Sequence, residues 1–228
     1  MLILALDAST PQVTVALGRE EGGRRKVLAE VSTIERGASE ALLVAVEDVL
    51  ALGGEDLGAV DRLLVGVGPG TFTGIRVAVS TARALSLGTR IPLSRNSTLA
   101  ALAAPALSFC EDGALAVLDA KRGQVFAQEF SKNGPASGIT CARPDELSGQ
   151  GSGRRAPLLV GDGAVRYRDV LSNLGRIPPD DSPFHRVSAT GHILSADLEA
   201  VKPEAVVPLY VREPDAEVRR GLNAWSQR

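Results

Sequence analysis

The sequence predicts an α/β fold of two lobes, each built on a mixed β-sheet. Three observations carry that expectation. Short apolar runs bounded by turn residues alternate with longer stretches whose apolar residues recur every three or four positions, the periods of strands and helices. The order strand, strand, strand, helix, strand, helix in the first half recurs more loosely in the second. A chain of 228 residues is long enough for one large domain or two lobes of about 100 residues each.

Leu2–Asp7 is a short apolar run, and Val13–Leu17 follows across Ser9-Thr10-Pro11-Gln12, which has hairpin-turn chemistry. Val27–Ser32 is a third strand beyond the polar Arg19–Lys26 turn. A helix from about Ser39 to Leu52 stops at Gly53-Gly54, a strong C-terminal signal. Arg62–Val67 reads as a strand, broken by Gly68-Pro69-Gly70. Thr71 or Thr73 can cap a second helix, which runs to Leu87 and ends at Gly88. Ser97–Leu107 is a short apolar helix suited to join the lobes. Ala114–Asp119 and Gln124–Phe130 pair across Lys121-Arg122-Gly123, Leu158–Gly161 is a further strand, and Ala164–Leu174 is helix-like. Gly149–Gly153 reads as a flexible surface loop. The expected division is residues 1–96 for the N-terminal lobe, 97–207 for a smaller C-terminal lobe and 208–228 for a tail. Two such lobes facing each other across a cleft is the architecture of the actin, hexokinase and Hsp70 ATPases.

Composition excludes several functions. Charge is close to balanced, 25 basic against 27 acidic residues, and interleaved, so no basic tract marks a nucleic-acid surface. The N-terminal run is apolar for six residues without a basic start, which is no signal peptide, and no stretch approaches the roughly 20 apolar residues of a membrane span. Cys110 and Cys141 make no disulfide framework, and a cytoplasmic protein is expected. His185 and His192 stand seven apart, whereas helical metal sites use spacings of three or four, and no acidic cluster accompanies them. No metal or cofactor is expected. Neither a Gly-x-Ser-x-Gly elbow nor a Cys–His pairing suggests a nucleophilic enzyme, so no catalytic residue is assigned.

Two turns could touch phosphate. Asp7-Ala8-Ser9-Thr10 ends the first strand, where a carboxylate can hold a metal-bound water and turn amides can face phosphate oxygens. Nucleotide-binding relatives of this architecture commonly carry glycine where Ser9 stands, and a plain hairpin turn fits equally. Asp119 in the second lobe mirrors Asp7, with Gly161 and Gly163 as further contacts, and again a hairpin turn is an equal reading. Gly68-Pro69-Gly70-Thr71-Phe72-Thr73-Gly74 is a glycine loop between strand and helix, but Ile75-Arg76 follows where a P-loop needs Lys and Ser or Thr. Its glycines can equally serve close packing of the helix on the sheet.

The helices are more informative. Ile75, Ala78, Val79, Ala82 and Leu85 form a core stripe, and Gly74, Val77, Thr81, Ala84 and Gly88 form a second, small-residue stripe. In the preceding helix Leu42, Leu43, Val46, Val49 and Leu50 are the expected core face, with Ala41, Val44, Ala45 and Leu52 around the other side. The exposed side of a lone domain's helix carries charge; two second faces of apolar or small residues, interrupted in the first helix by Asp48, favour an interface with another protein over packing within the lobe.

The chain resembles the bacterial TsaB family, also called YeaZ. The likeness covers nearly its whole length, and its strongest element is Val65–Arg76, the family's signature loop and helix start. Leu4–Thr10, Ile91-Pro92, Ser97–Leu102, Asp119–Phe126, Val160–Ala164 and Pro208–Arg212 are similar, in the same order. The resemblance implies an actin-like fold with degenerate nucleotide sites. It implies a subunit that binds and activates TsaD, the paralogue transferring threonylcarbamoyl from threonylcarbamoyl-adenylate to N6 of adenosine 37 in tRNAs that read ANN codons. It implies pairing with TsaD, or with itself when alone, through the first two helices, and a small ATPase, TsaE, in the same assembly. The HxxxH metal motif of the partner is absent here, which fits a pseudo-enzyme meeting tRNA only through the complex. The family often has His at the start of the first helix, where this chain reads Arg36-Gly37-Ala38-Ser39-Glu40, and the tail after Arg212 is expected to be ordered by a partner if at all. The alternatives are an ATP-dependent kinase or ATPase of the same fold, which Ser9 and the short chain disfavour, and a peptidase, for which neither metal pair nor triad is present.

Overall fold

The computed structural model describes residues 1–34, 38–149 and 156–212, the side chains of 38, 39, 148 and 149 excepted. Arg36 and Gly37, the Gly149–Gly153 loop past Gly149, and the tail beyond Arg212 lie outside the described residues. The first sheet comprises β1 (Leu2–Asp7), β2 (Val13–Glu21), β3 (Arg24–Thr33), β4 (Arg62–Gly66) and β5 (Leu93–Asn96), in the order β3-β2-β1-β4-β5. β1 pairs antiparallel with β2 and parallel with β4, which pairs parallel with β5.

Central strands buried on both faces read as unbroken apolar runs, and β1 is one. Leu2, Leu4 and Leu6 join Val13, Val15, Leu17, Leu63 and Val65 beneath α1 (Ala38–Gly53) and α2 (Phe72–Thr89). Ile3 and Ala5 point the other way, with Ala16 and Leu64, toward Ala189 and Ile193 of a late helix. α2 lays Ile75, Ala78, Val79 and Ala82 on the sheet, the stripe its sequence predicts, and ends at Arg90 in the left-handed region.

The second sheet is built from β6 (Ala114–Lys121), β7 (Gln124–Ser131), β8 (Gly134–Pro135), β9 (Thr140–Ala142) and β10 (Leu158–Val160), in the order β10-β6-β7-β8 with β9 also on β7. α3 (Thr98–Leu107) packs Leu99, Leu102, Ala103 and Ala106 against it. The expected Ala164–Leu174 helix is two short ones, α4 (Asp162–Arg166) and α5 (Arg168–Leu171), because Tyr167 leaves helical geometry at φ −114°. α6 (Ala189–Ser195), which the sequence does not announce, covers the second face of the first sheet. The chain stays there: Val201 bridges to Leu93, Val206 is in the first lobe's core, and the Leu209 amide donates to Val67 O. Residues 189–209 thus pack on the first lobe, across the divisions expected after 96 and 207. The cause is the open apolar face of β1 and β4, which needs a cover that the first 96 residues do not supply.

Candidate functional site

Asp7, at the end of β1, is fully buried and accepts four hydrogen bonds. Ser9 N and Oγ both donate to Oδ1 at 2.6 Å, Thr98 Oγ1 donates to Oδ2 at 3.0 Å, and His192 Nε2 of α6 donates to Oδ2 at 2.8 Å. Four donors in a dry site satisfy the carboxylate, as a buried charge requires. Burial pushes the Asp7 carboxyl up, but the hydrogen bond and charge of His192, with the bonds from Ser9, hold it below the ordinary value. Asp7 is thus turned into the protein, toward Ser9, Thr98 and His192. Ser9 is buried too, and among the described residues Thr10 bonds only within its turn, to Gln12. The Asp7 turn is a structural junction between β1, α3 and α6.

The glycine loop packs directly on the turn that follows Asp7. Thr71 N donates to Ser9 O at 2.6 Å, and Thr98 N to Gly68 O at 2.8 Å. A Cβ at Gly70 would overlap Ser9 O, and one at Gly74 would overlap Ala8 O, so both positions exclude any side chain. Anion cradles present amides; this turn presents two carbonyls to its own helix and spends the Ser9 amide on Asp7. Pro69 and Gly70 sit within that contact, while Thr71 caps α2 without a side-chain hydrogen bond and Thr73 is exposed. Gly74→Ala is expected to lower the melting temperature by about 5 °C, from an overpacking cost of about 2 kcal/mol. An unchanged melting curve would show that the contact is not tight.

In the second lobe Asp119 likewise turns inward. Lys121 N and Nζ donate to it at 2.9 Å, and Arg166 lies 3.4 Å away. Its own amide donates to Asp162, whose carboxyl burial pushes up. Gly161 and Gly163 lie against the backbone of Val117 and Leu118, packing α4 on β6. His185, in a short turn, contacts Gly161 O and Pro178 O, a core histidine.

On α1, Leu42, Val46, Val49 and Leu50 are buried and Val44 and Leu52 exposed, as the sequence suggests, while Ala41 and Ala45 are buried and Leu43 is exposed, the reverse of the expectation at those three positions. Gly74 is likewise turned inward, onto Ala8. What remains outside is apolar: Leu43, Val44 and Leu52 on α1 are 48%, 55% and 69% exposed, and Leu87 on α2 is 63%. Ala84 and Gly88 are exposed and Val77 and Thr81 half-buried. A groove of about 410 Å³ runs beside α2, lined by Phe72, Thr73, Arg76, Val77, Ser80 and Thr81.

Comparison with known proteins agrees with this geometry. A family profile for TsaD, the tRNA N6-adenosine threonylcarbamoyltransferase, matches residues 28–150, more than half the chain. The tRNA threonylcarbamoyladenosine biosynthesis protein TsaB of Bacillus subtilis is 31% identical over 235 residues, covering 96% of this chain and 97% of that protein. The chain belongs to the TsaB (YeaZ) family. The TsaB protein of Escherichia coli is 34% identical over 136 residues, and that match covers 58% of this chain and 56% of the E. coli protein. The structure of YeaZ from Pseudomonas aeruginosa superposes with a TM-score of 0.75 at 25% identity, over 92% of this chain and 99% of that one. The fold is the two-lobed actin-like α/β fold.

Within this TsaB-family chain the structure joins Asp7 and Ser9 to residues the sequence does not single out, Thr98 and His192. It also places Tyr210, from the end of the described chain, on Phe72 and Arg76 at the start of α2. No local pattern announces these partners. Among the described residues no helix is long and apolar enough to cross a membrane, and no three His, Cys, Asp or Glu side chains are grouped to hold a metal ion.

Proposed function

We propose that this chain is the non-catalytic subunit that binds and activates a TsaD-type threonylcarbamoyltransferase. The product is N6-threonylcarbamoyladenosine at position 37 of tRNAs reading ANN codons. The observation that carries the reading is the set of exposed apolar side chains on α1 and α2: Leu43, Val44, Leu52 and Leu87 stand in solvent, with Glu47 and Asp48 exposed beside them on α1. Apolar side chains grouped on neighbouring helices mark a surface that another protein covers. The inward-turned carboxylates of Asp7 and Asp119 and the carbonyl-lined turn at Ala8 and Ser9 support a partner that performs the chemistry. In this reading the transferase meets α1 and α2, a TsaE-type ATPase joins the same assembly, tRNA is held through the complex, and the free chain pairs with itself. The work is cytoplasmic.

The test is a reconstitution of the purified chain with its TsaD-type partner, reading threonylcarbamoyladenosine in tRNA and mass by light scattering. Modified tRNA is expected only when both proteins are present, together with a heteromeric mass. Transfer by the partner alone, or ATP turnover by this chain alone, would overturn the proposal; the second result would favour an ATP-dependent enzyme.

A further inference from the structure

Arg76 projects from the exposed side of α2 and is held in place. Its guanidinium carbon lies 3.7 Å from the centre of the Phe72 ring. Its Nε donates to the Tyr210 hydroxyl at 2.7 Å, across 134 residues of sequence, and Tyr210 stacks on Phe72 with ring centroids 5.1 Å apart. One face and one edge of the guanidinium are thereby occupied. The outer edge, Nη1 and Nη2, meets no acceptor among the described residues. α2 carries Arg76 and Arg83 and no acidic residue at all.

A free arginine samples many rotamers, and ordering it on binding has an entropic cost. Phe72 and Tyr210 meet that cost before any partner arrives. The edge left open is the fork that matches a carboxylate with two parallel hydrogen bonds. It opens on the groove of about 410 Å³, where Thr73, Ser80 and Thr81 supply hydroxyls and Val77 an apolar wall. Among the described residues Arg76 is the one cation lining the groove. A phosphodiester backbone is gripped by several cations at once; a single clamped fork beside an apolar surface fits a carboxylate on a protein.

We propose that Arg76, clamped by Phe72 and Tyr210, is the anchor that takes an Asp or Glu carboxylate of the transferase partner into the α2 groove. This rests on the partner-binding reading above and names the residue that gives that surface its specificity. It also gives the C-terminal segment through Tyr210 a role in setting the interface.

The experiment is calorimetric titration of the full chain with the purified TsaD-type partner at two salt concentrations, with a melting curve for each variant. Arg76→Gln is expected to weaken binding about 30-fold and to flatten its salt dependence, with an unchanged melting temperature. Arg76→Lys, which keeps the charge and loses the fork, is expected to weaken it about tenfold. Tyr210→Phe, which keeps the stack and loses the hydroxyl, should weaken it by less than Arg76→Gln does. Val44→Asp serves as the reference for the apolar face. Unchanged partner affinity of Arg76→Gln, with binding lost in Val44→Asp, would overturn the anchor and leave the proposed function standing. Unchanged partner affinity together with weaker tRNA binding by Arg76→Gln would make Arg76 an RNA contact and overturn it equally. No binding by the unaltered chain would remove the partner-binding reading itself, and the anchor with it.

Discussion

His192→Leu is expected to cost about 3–5 kcal/mol of stability near neutral pH, because it leaves the Asp7 carboxylate in a fully buried site without the His192 hydrogen bond. For a chain of this size that is a fall in melting temperature of about 10 °C. The pH dependence distinguishes this cause from simple loss of packing. In the unaltered protein Asp7 is held below its ordinary value of 3.8, so its contribution is present above that value and is lost as pH falls through the folded-state value. Without His192, burial is no longer outweighed and the carboxyl moves up. A group raised in the folded state contributes most below its unfolded value and loses that contribution as pH rises through the folded one. The deficit of His192→Leu should therefore be smaller at about pH 4.5 than at about pH 7.5, read from denaturant midpoints. A second substitution, Asp7→Leu, made in the His192→Leu background, should recover part of the loss at neutral pH, since two apolar groups leave no stranded charge. Equal deficits at both pH values would show that the pair does not govern the charge of Asp7.

The Asp7–His192 pair also marks where sequence reasoning stops. His192 lies 185 residues from Asp7, on a seven-residue helix with no strong pattern of its own, and its spacing from His185 suggests nothing. The strands could be read because β1, β2 and β4 are apolar runs bounded by turn residues, and burial on both faces demands that composition. The core stripe of α2 could be read because small and large apolar residues alternate with arginine and serine at helical spacing. α1 resisted the same treatment. Its sequence ASEALLVAVEDVLALG holds only three acidic residues and no basic one, so apolar residues lie nearly all round the helix. Leu42, Val46, Val49 and Leu50 are buried as expected, but Ala41 and Ala45 are buried and Leu43 is not, a choice that periodicity alone does not make on so apolar a helix. β5, with the sequence LSRN, is too short and polar to read as a strand; pairing beside β4 makes it one. At the glycine loop, the plainer of the two sequence readings, close packing of helix on sheet, is the one the contacts of Gly70 and Gly74 support.

The ambiguity of α1 yields a sharp expectation at two neighbouring positions. Val44 stands in solvent and Ala45 beside it is in the core. Val44→Asp places a carboxylate on the proposed partner surface without disturbing the fold, so its melting curve should match that of the unaltered chain. Covering that carboxylate with an apolar partner would desolvate an unpaired charge, at a cost of several kcal/mol, and affinity for the TsaD-type protein should fall at least about 100-fold. Threonylcarbamoyladenosine formation in the reconstituted system should fall with it at protein concentrations below the weakened dissociation constant. Ala45→Asp forces the same charge into the apolar cluster between α1 and the first sheet, and this variant should fail to fold rather than fail to bind. Ala84→Asp, on the exposed side of α2, should behave like Val44→Asp if both helices share one interface. Val44→Asp and Ala84→Asp that fold and still form the complex at full affinity would remove α1 and α2 from the partner surface. The transferase would then have to be sought on another face of the chain.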